Sequence, residues 1–102
     1  MSADTDVIEK KKTSAKEPKE PGKYNVIVLN DDKTPVEFVI ALLVTVFKHD
    51  QERATQTTLE IHHKGSGIAG TYNYEIAEQK VLDGTKMARA NNFPLVLKAE
   101  AQ

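Results

Sequence analysis

Apolar residues after position 22 are spaced in two ways, and the spacing predicts three strands and three helices. Residues 24–29, YNVIVL, are rich in β-branched side chains and predict a strand, as do the shorter runs 68–72 and 95–98. Between these runs, apolar positions three and four residues apart predict amphipathic helices. In the first helix these positions are Val36, Val39, Ile40, Leu43, Val46 and Phe47. The predicted order is strand, helix, helix, strand, helix, strand.

The first helix has a clear start signal. Residues 30–33, NDDK, are typical of a turn. Thr34 then suits a helix cap, Pro35 the first helical position, and Glu37 the third position of a capping box. We expect this helix to continue to about Lys48.

The other two helices also carry boundary signals. Asp50 suits the cap of a second helix that ends at residues 62–63, where Gly65–Gly67 follows. Asn73 suits the cap of a third helix, which residues 91–92, both Asn, should close. Gly84 inside the third helix indicates a close approach of a neighbouring element.

This element order predicts the α+β class. We expect a three-stranded, mainly antiparallel sheet with three helices packed on one face, in the order β-α-α-β-α-β. Residues 23–102 should form this single domain.

Residues 1–22 have a different composition. They hold five Lys, three Glu and two Asp, together with Pro18 and Pro21, and no aromatic residue. Such a segment buries too little apolar surface to offset the entropy of ordering it. We expect a disordered, flexible N-terminal extension. It is either an inert leader or an arm that a partner grips.

Composition excludes several protein classes. The chain has no cysteine, which excludes disulfides, thiolate zinc sites, iron–sulfur clusters and a cysteine nucleophile. The net charge of −1 disfavours a chain that coats nucleic acid. The longest apolar run, Phe38–Val44, is far shorter than the roughly 20 residues of a membrane span. With no secretory pattern at residues 1–4, we expect a cytoplasmic protein.

Residues that resemble catalytic or cofactor motifs do not have the neighbouring elements or the spacing that these motifs require. Residues 65–70 spell G-x-G-x-x-G, but they follow a helix and enter a strand, the reverse of a dinucleotide fingerprint. His49, His62 and His63 lack the spacing of a closed ligand set for zinc. No nucleophile elbow surrounds Ser66. We therefore expect no enzyme activity, no cofactor and no metal.

Two remaining features supply hydrogen-bond acceptors. Asn30, Asp31 and Asp32 lie in the turn between the first strand and the first helix, and His62 lies at the end of the second helix. The simpler interpretation is that the first three only form the turn and that His62 only ends its helix.

The residues Tyr24 to Glu37, YNVIVLNDDKTPVE, resemble the opening of ClpS-type adaptor domains. The segments Ala54–Gln56, Leu59–His63, Glu75–Glu78 and Pro94–Leu95 continue the similarity, which covers residues 23–100. The resemblance implies a binding module without catalysis. Such an adaptor binds the free amino terminus of proteins that begin with Leu, Phe, Tyr or Trp, the N-degrons. It delivers them to an AAA+ unfoldase such as ClpA, with ClpC possible. The tail is expected to enter the unfoldase pore.

The resemblance also implies roles for individual residues. The α-amino group should be bound by Asn30, Asp31 and His62. The pocket for the first side chain should be lined by Val36, Val39, Thr58, Ile61 and Leu95, which spacing alone would assign to an ordinary core. Asp32 and Thr34 should shape the turn and cap the helix. The unfoldase should contact Glu75, Glu78 and Lys80 on the third helix.

Two positions depart from the family pattern. Val36 and Thr58 stand where many relatives have Met, a longer and more adaptable side chain. We expect the ranking of first residues, or the tolerance of β-branched ones, to differ from that of a Met-gated relative.

The departures leave an alternative open. The chain could be an unfoldase-docking regulator that redirects or inhibits substrate choice without reading amino termini. The presence of Asn30, Asp31 and His62 argues against it, because docking alone has no use for these acceptors. Nothing in the sequence requires more than a monomer.

Overall fold

A computed structural model describes residues 22–102 and confirms the predicted order of elements. The predicted flexible extension lies almost entirely outside the described residues. The elements are β1 (Tyr24–Leu29), α1 (Val36–Phe47), α2 (Gln51–Lys64), β2 (Ser66–Tyr72), α3 (Tyr74–Ala90) and β3 (Val96–Ala101).

The sheet places β1 at its centre, in the order β2-β1-β3, and both pairings are antiparallel. Leu29 lies opposite Ser66 on one side and opposite Val96 on the other. The register with β2 shifts between Val26 and Ile27. The last residue of β1 is therefore flanked by the first residues of both neighbouring strands.

The three helices cover one face of this sheet. Val26 and Val28 point toward them and are completely buried, as two-residue strand periodicity requires. Leu42 and Leu43 of α1 are equally buried. The opposite face is open to solvent, where Ile68 remains half-exposed. The predicted α+β architecture is confirmed.

Helix α1 begins one residue later than the capping box predicts. Pro35 occupies the cap position, and no side chain caps the helix. The Thr34 hydroxyl instead donates to Asp31 Oδ2 over 2.8 Å. The predicted helix cap at Thr34 is wrong because the acidic residue three positions earlier takes its hydroxyl. Lys48, in the left-handed region with φ 61°, ends the helix.

The caps predicted for the other helices are confirmed. Asp50 accepts from the Arg53 amide over 2.8 Å, and Asn73 accepts from the Ile76 amide over 3.0 Å. Gly65, with φ 91°, is sufficient to end α2. Strand β2 therefore starts two residues earlier than predicted, because residues 66–67 are already paired with β1.

Candidate functional site

Strand pairing brings the two acceptor-bearing segments together. Because Leu29 pairs with Ser66, the turn after β1 lies beside the loop before β2. The Asn30 amide donates to the Gly65 carbonyl over 2.9 Å, which ties the turn to the end of α2. His62 belongs to the last turn of that helix. Residues 32 positions apart in sequence thus meet at one corner of the domain.

A cavity of about 360 Å³ opens at this corner, between α1 and α2. Hydrogen-bond acceptors of the turn and of His62 form one part of its wall, and apolar side chains of α1 and α2 form the rest. The lining residues are Asn30, Asp31, Asp32, Thr34, Pro35, Val36, Val39, Thr58, Ile61 and His62.

Asp31 organises the turn that carries the acceptors. Its Oδ1 accepts from the backbone amides of Lys33 and Thr34, each over 2.8 Å. Its Oδ2 accepts from the Thr34 hydroxyl. These bonds use three of the roughly four lone-pair sites of a carboxylate. One site on Oδ2 is left for a ligand.

The surroundings of Asp31 favour its ionised form. Partial burial by itself raises the pKa of the carboxyl, but the hydrogen bonds from Lys33 and Thr34 outweigh it and hold the pKa below the ordinary value of 3.8. The positive charge of Arg89 adds to this effect. The turn therefore presents a negative charge to the cavity.

The side chains of Asn30 and His62 remain available for a ligand. Within residues 22–102, neither the side-chain amide of Asn30 nor the imidazole of His62 makes a hydrogen bond. The His62 ring packs edge to face against the His63 ring, with centroids 5.5 Å apart. Both side chains are exposed at the cavity mouth.

The apolar wall is well buried except at its rim. Val39, Thr58 and Ile61 are buried, whereas Val36 is 44% exposed. The Thr58 hydroxyl donates to the Ala54 carbonyl over 2.8 Å, one helical turn back. Its hydrogen is therefore not available to a ligand in the cavity, and Val36 is the wall residue most open to solvent.

Leu95 does not line this cavity. It is 1% exposed and belongs to the hydrophobic core. Leu97, two residues further along the chain, is in the same core, as two-residue periodicity requires. Leu95 thus lies in the core, as the cavity-lining Val39 and Ile61 also do, and its role in the pocket stays a prediction.

Asp32 and Thr34 both reach the cavity, but they support it differently. Thr34 holds Asp31 through its amide and its hydroxyl. Asp32 is exposed, and no hydrogen bond within the described range involves its side chain. The support for the turn therefore comes from Asp31 and Thr34.

The structure separates the three residues expected on α3. Glu75 and Glu78 are exposed and line a groove of about 480 Å³ along the helix. Lys80 lies elsewhere, because its Nζ donates to the Val46 carbonyl over 2.7 Å and lies 5.8 Å from the Tyr72 ring centre. Lys80 therefore joins α3 to the end of α1.

Arg89 is a supporting residue that the sequence did not reveal. Its Nη1 donates to the carbonyls of Phe93 and Leu95, each over 2.8 Å. The Phe93 ring packs against Phe38 of α1 at 4.8 Å between centroids. A basic residue in the last turn of a helix commonly binds carbonyl groups, but the pattern does not say which ones.

Two negative findings apply to residues 22–102. No group of three or more His, Asp or Glu side chains there could hold a metal ion. No helix of this part of the chain is long and apolar enough to cross a membrane.

Fold and site together define a small α+β domain in which one cavity combines an acidic turn with an apolar wall. A solved structure, described as Agrobacterium tumefaciens ClpS2 bound to L-phenylalaninamide, is similar to it with a TM-score of 0.79. The two sequences are 32% identical, and the match covers 81% of this chain and all of that one.

Sequence comparisons give the family. The family model for the ATP-dependent Clp protease adaptor protein ClpS matches residues 19–98. The ClpS adapter of Vibrio cholerae is 44% identical over 98% of this chain and 92% of its own length. That of Campylobacter jejuni is 51% identical over 81% of this chain and 86% of its own length. The chain belongs to the ClpS family of Clp protease adaptors.

Proposed function

We propose that this adaptor binds proteins through a free N-terminal residue with a bulky hydrophobic side chain: Leu, Phe, Tyr or Trp. It then delivers them to a Clp AAA+ unfoldase, ClpA or ClpC, in the cytoplasm. One observation carries the proposal: a single cavity combines the acceptors Asn30, Asp31 and His62 with an apolar wall.

The acceptors match the chemistry of an α-ammonium group. An ammonium has three N–H donors and no acceptor. The Asn30 side-chain oxygen, the remaining site on Asp31 Oδ2 and a neutral His62 imidazole would supply one acceptor each. The ionised Asp31 also balances the positive charge, and its lowered pKa keeps that charge present at neutral pH.

The apolar wall matches the first side chain of the substrate. Val36, Val39, Thr58 and Ile61 face the same cavity as the acceptors. Each hydrogen bond to a charged group contributes roughly 1.5–3 kcal/mol, and burial of a Leu or Phe side chain adds roughly 1.5–3 kcal/mol. Association itself costs several kcal/mol, so recognition requires both parts of the ligand.

No group in the cavity is arranged for covalent chemistry. The Thr58 hydroxyl is bonded to a helix carbonyl and the Thr34 hydroxyl to Asp31. We therefore propose a binding protein without enzymatic activity, acting as a monomer and without cofactor or metal. We propose that the unfoldase contacts Glu75, Glu78 and Lys80 on α3, of which the two carboxylates are exposed.

Reconstituted degradation tests delivery. Two reporters that differ only in a first residue of Phe or Ser are incubated with a Clp unfoldase, its peptidase and this adaptor. The adaptor should accelerate degradation of the Phe reporter alone. An Asn30→Ala variant should lose that acceleration, because one acceptor is removed from the cavity. Equal acceleration of both reporters would contradict the proposal.

The alternative function is a docking regulator that does not read amino termini. It requires the α3 surface and no ligand in the cavity. A protein that slows or redirects degradation equally for the two reporters, and that still does so after Asn30→Ala, would be such a regulator.

A further inference from the structure

The groove on α3 is an exposed surface that shares no lining residue with the cavity at the acidic turn. Tyr74, Val81 and Leu82 give it an apolar floor, and Tyr74 and Leu82 are about half-exposed. No segment of residues 22–102 covers it. Exposed apolar surface of this kind is a candidate docking surface for another chain segment.

The rim of the groove is acidic. Glu75 and Glu78, three residues apart on α3, lie on the same side of the helix. The ion pairs within residues 22–102 are Lys64–Glu60 and Lys98–Glu100, so neither groove carboxylate has a cationic partner there. The groove therefore favours a segment that combines apolar side chains with positive charge.

The chain itself emerges beside this groove. The ring of Tyr24 packs edge to face against the ring of Tyr74, with centroids 5.2 Å apart, and Tyr74 lines the groove. The Gln102 amide donates to the Lys23 carbonyl over 2.9 Å, which fixes the chain up to that point. Gly22, the first described residue, therefore lies near the beginning of α3, and 21 residues precede it in the sequence.

The sequence of those residues contains a matching segment. Residues 7–12 read VIEKKK: two adjacent β-branched apolar side chains, one acid and three lysines. Val7 and Ile8 are the only branched aliphatic residues before Gly22. We propose that residues 7–12 dock in the α3 groove of the same molecule, with the apolar pair against Leu82 and the lysines against Glu75 and Glu78.

The length of the connection permits this contact. The ten residue steps from Lys12 to Gly22 span up to about 33–36 Å when extended. The groove from Tyr74 to Thr85 spans eleven residue steps of helix, or about 16 Å. Exposed ion pairs are individually weak. Tethering makes the contact intramolecular, at an effective concentration of roughly millimolar, so a weak contact is populated.

Docking would make the tail an autoinhibitory element. The docked tail would cover Glu75 and Glu78, which are proposed to contact the unfoldase. The inhibition rests on the proposed function, whereas the docking of residues 7–12 in the groove does not. An unfoldase domain that binds α3 must first displace residues 7–12. The tail would then be released only on a partner-bound adaptor.

Paramagnetic relaxation enhancement tests the contact without peptide or unfoldase. The chain has no native cysteine, so a Thr13→Cys substitution carries a single nitroxide label. In the full-length protein, amide signals of residues 74–85 should lose most of their intensity. Signals of residues 60–64 at the end of α2 should keep theirs. Absence of selective broadening at residues 74–85 would overturn the proposal.

Charge variants in the same full-length chain sharpen the test. Replacing the lysines at 10–12 with glutamate should reduce the broadening several-fold, and adding Glu75→Lys and Glu78→Lys should restore it. The matched control, Lys16→Glu with Lys19→Glu, should leave it unchanged. Broadening that persists after all three lysines are replaced overturns the charge-matched docking.

A mixing experiment separates contact within one molecule from contact between two molecules. Nitroxide-labelled protein is mixed with ¹⁵N-labelled protein that carries no nitroxide, and the ¹⁵N signals should show no broadening. Broadening there would assign the groove to a second copy instead.

Discussion

Asp31 combines two tasks in one side chain. Its oxygens accept three hydrogen bonds from Lys33 and Thr34, and the same carboxylate faces the cavity as a negative charge. The neighbouring acid, Asp32, faces the cavity without such bonds. Two adjacent residues of the same type therefore make unequal contributions to the site.

An Asp31→Asn variant should bind an N-terminal Phe peptide about 10- to 150-fold more weakly, since a charged hydrogen bond contributes roughly 1.5–3 kcal/mol. Asp32→Asn is the matched control, because it removes the same charge one residue away and should weaken binding far less. Fluorescence anisotropy with a labelled peptide measures both. Equal losses in the two variants would show that only the total charge of the turn matters.

The Asp31 carboxylate sets the pH range in which the proposed α-amino site keeps its charge. The pKa of Asp31 is held below its ordinary value of 3.8, so its contribution is present above that value and is lost only as pH falls through the lowered pKa. Between about pH 7 and pH 5.5, where the peptide amine is mostly protonated, Asp31 stays ionised. The contribution of Asp31 to binding should therefore be constant across this window.

We expect the ratio of the wild-type affinity to the Asp31→Asn affinity to stay constant across that window, measured by anisotropy in one buffer series. A ratio that falls toward one between about pH 7 and pH 5.5 would show that the carboxyl of Asp31 is not held ionised.

At the residue scale, the sequence and the family resemblance indicated which side chains would gather, but not their bonds. Asn30, Asp31 and His62 do line one cavity. Thr34 was expected to cap α1 and holds Asp31 instead. Leu95 was expected on the wall, and it lies in the same buried core as Val39 and Ile61 of that wall. Such partners depend on local distances, which residue types and spacing do not contain.

Helices α1 and α2 form the walls of the cavity. Each wall has one position, Val36 in α1 and Thr58 in α2, where many relatives are expected to have Met. Val36 is the exposed residue of the wall, and Thr58 is buried with its hydroxyl bonded to Ala54. Both side chains are shorter than Met and stiff at χ1. The wall therefore leaves more room for a first side chain than a Met-lined wall would.

Replacing Val36 and Thr58 together with Met should change the ranking of peptides that begin with Leu, Phe, Tyr, Trp, Ile or Val. Longer side chains narrow the cavity, so the double variant should discriminate more strongly against β-branched first residues. Competition anisotropy against one labelled peptide measures the ranking. Identical rankings in wild type and double variant would refute a gating role for these positions.

Helix α3 depends on a close contact with β3. A Cβ atom added at Gly84 would lie 2.6 Å from Leu97 Cδ2, and Leu97 is buried with little freedom to move. Gly84→Val should lower the free energy of unfolding by about 1–3 kcal/mol through overpacking. Lys86→Val, on the exposed side of the same helix, should cost only about 0.5 kcal/mol. Urea denaturation compares the two, and equal effects would mean that the contact is not tight.

At the element scale, the sequence predicted all six elements and their order, because each has a distinct apolar period and most have a clear boundary residue. Asp50, Asn73 and Gly65 act as predicted. The errors are at segment boundaries: β2 starts at Ser66 and not at residue 68, and β3 covers Val96–Ala101 and not residues 95–98. Gly65 alone ends α2, so Ser66 and Gly67 are free to extend β2.

The whole molecule separates its two exposed surfaces. The cavity lies between α1 and α2 at the end of β1. The groove runs along α3 and starts at Tyr74, whose ring contacts Tyr24. Lys80 links α3 to the end of α1 through the Val46 carbonyl. This separation would permit the proposed substrate site and the proposed unfoldase contact to be occupied at the same time.

Removing residues 1–22 should leave peptide binding unchanged, because the cavity is built entirely from residues 30–62. Delivery should nevertheless fall, since the tail is expected to enter the unfoldase pore. Anisotropy measures the first effect and degradation of a Phe-starting reporter the second. A truncated protein that delivers as well as the full chain would exclude the tail from delivery.

Recognition of a free amino terminus is tested most directly with three labelled peptides: one starting with free Leu, one with free Phe, and the Phe peptide acetylated at its amino terminus. Acetylation removes the positive charge and two N–H donors but leaves the side chain intact. Anisotropy should show binding of both free peptides and none of the acetylated one. Equal binding of the acetylated peptide, or failure of all three, would contradict amino-terminal recognition by Asn30, Asp31 and His62.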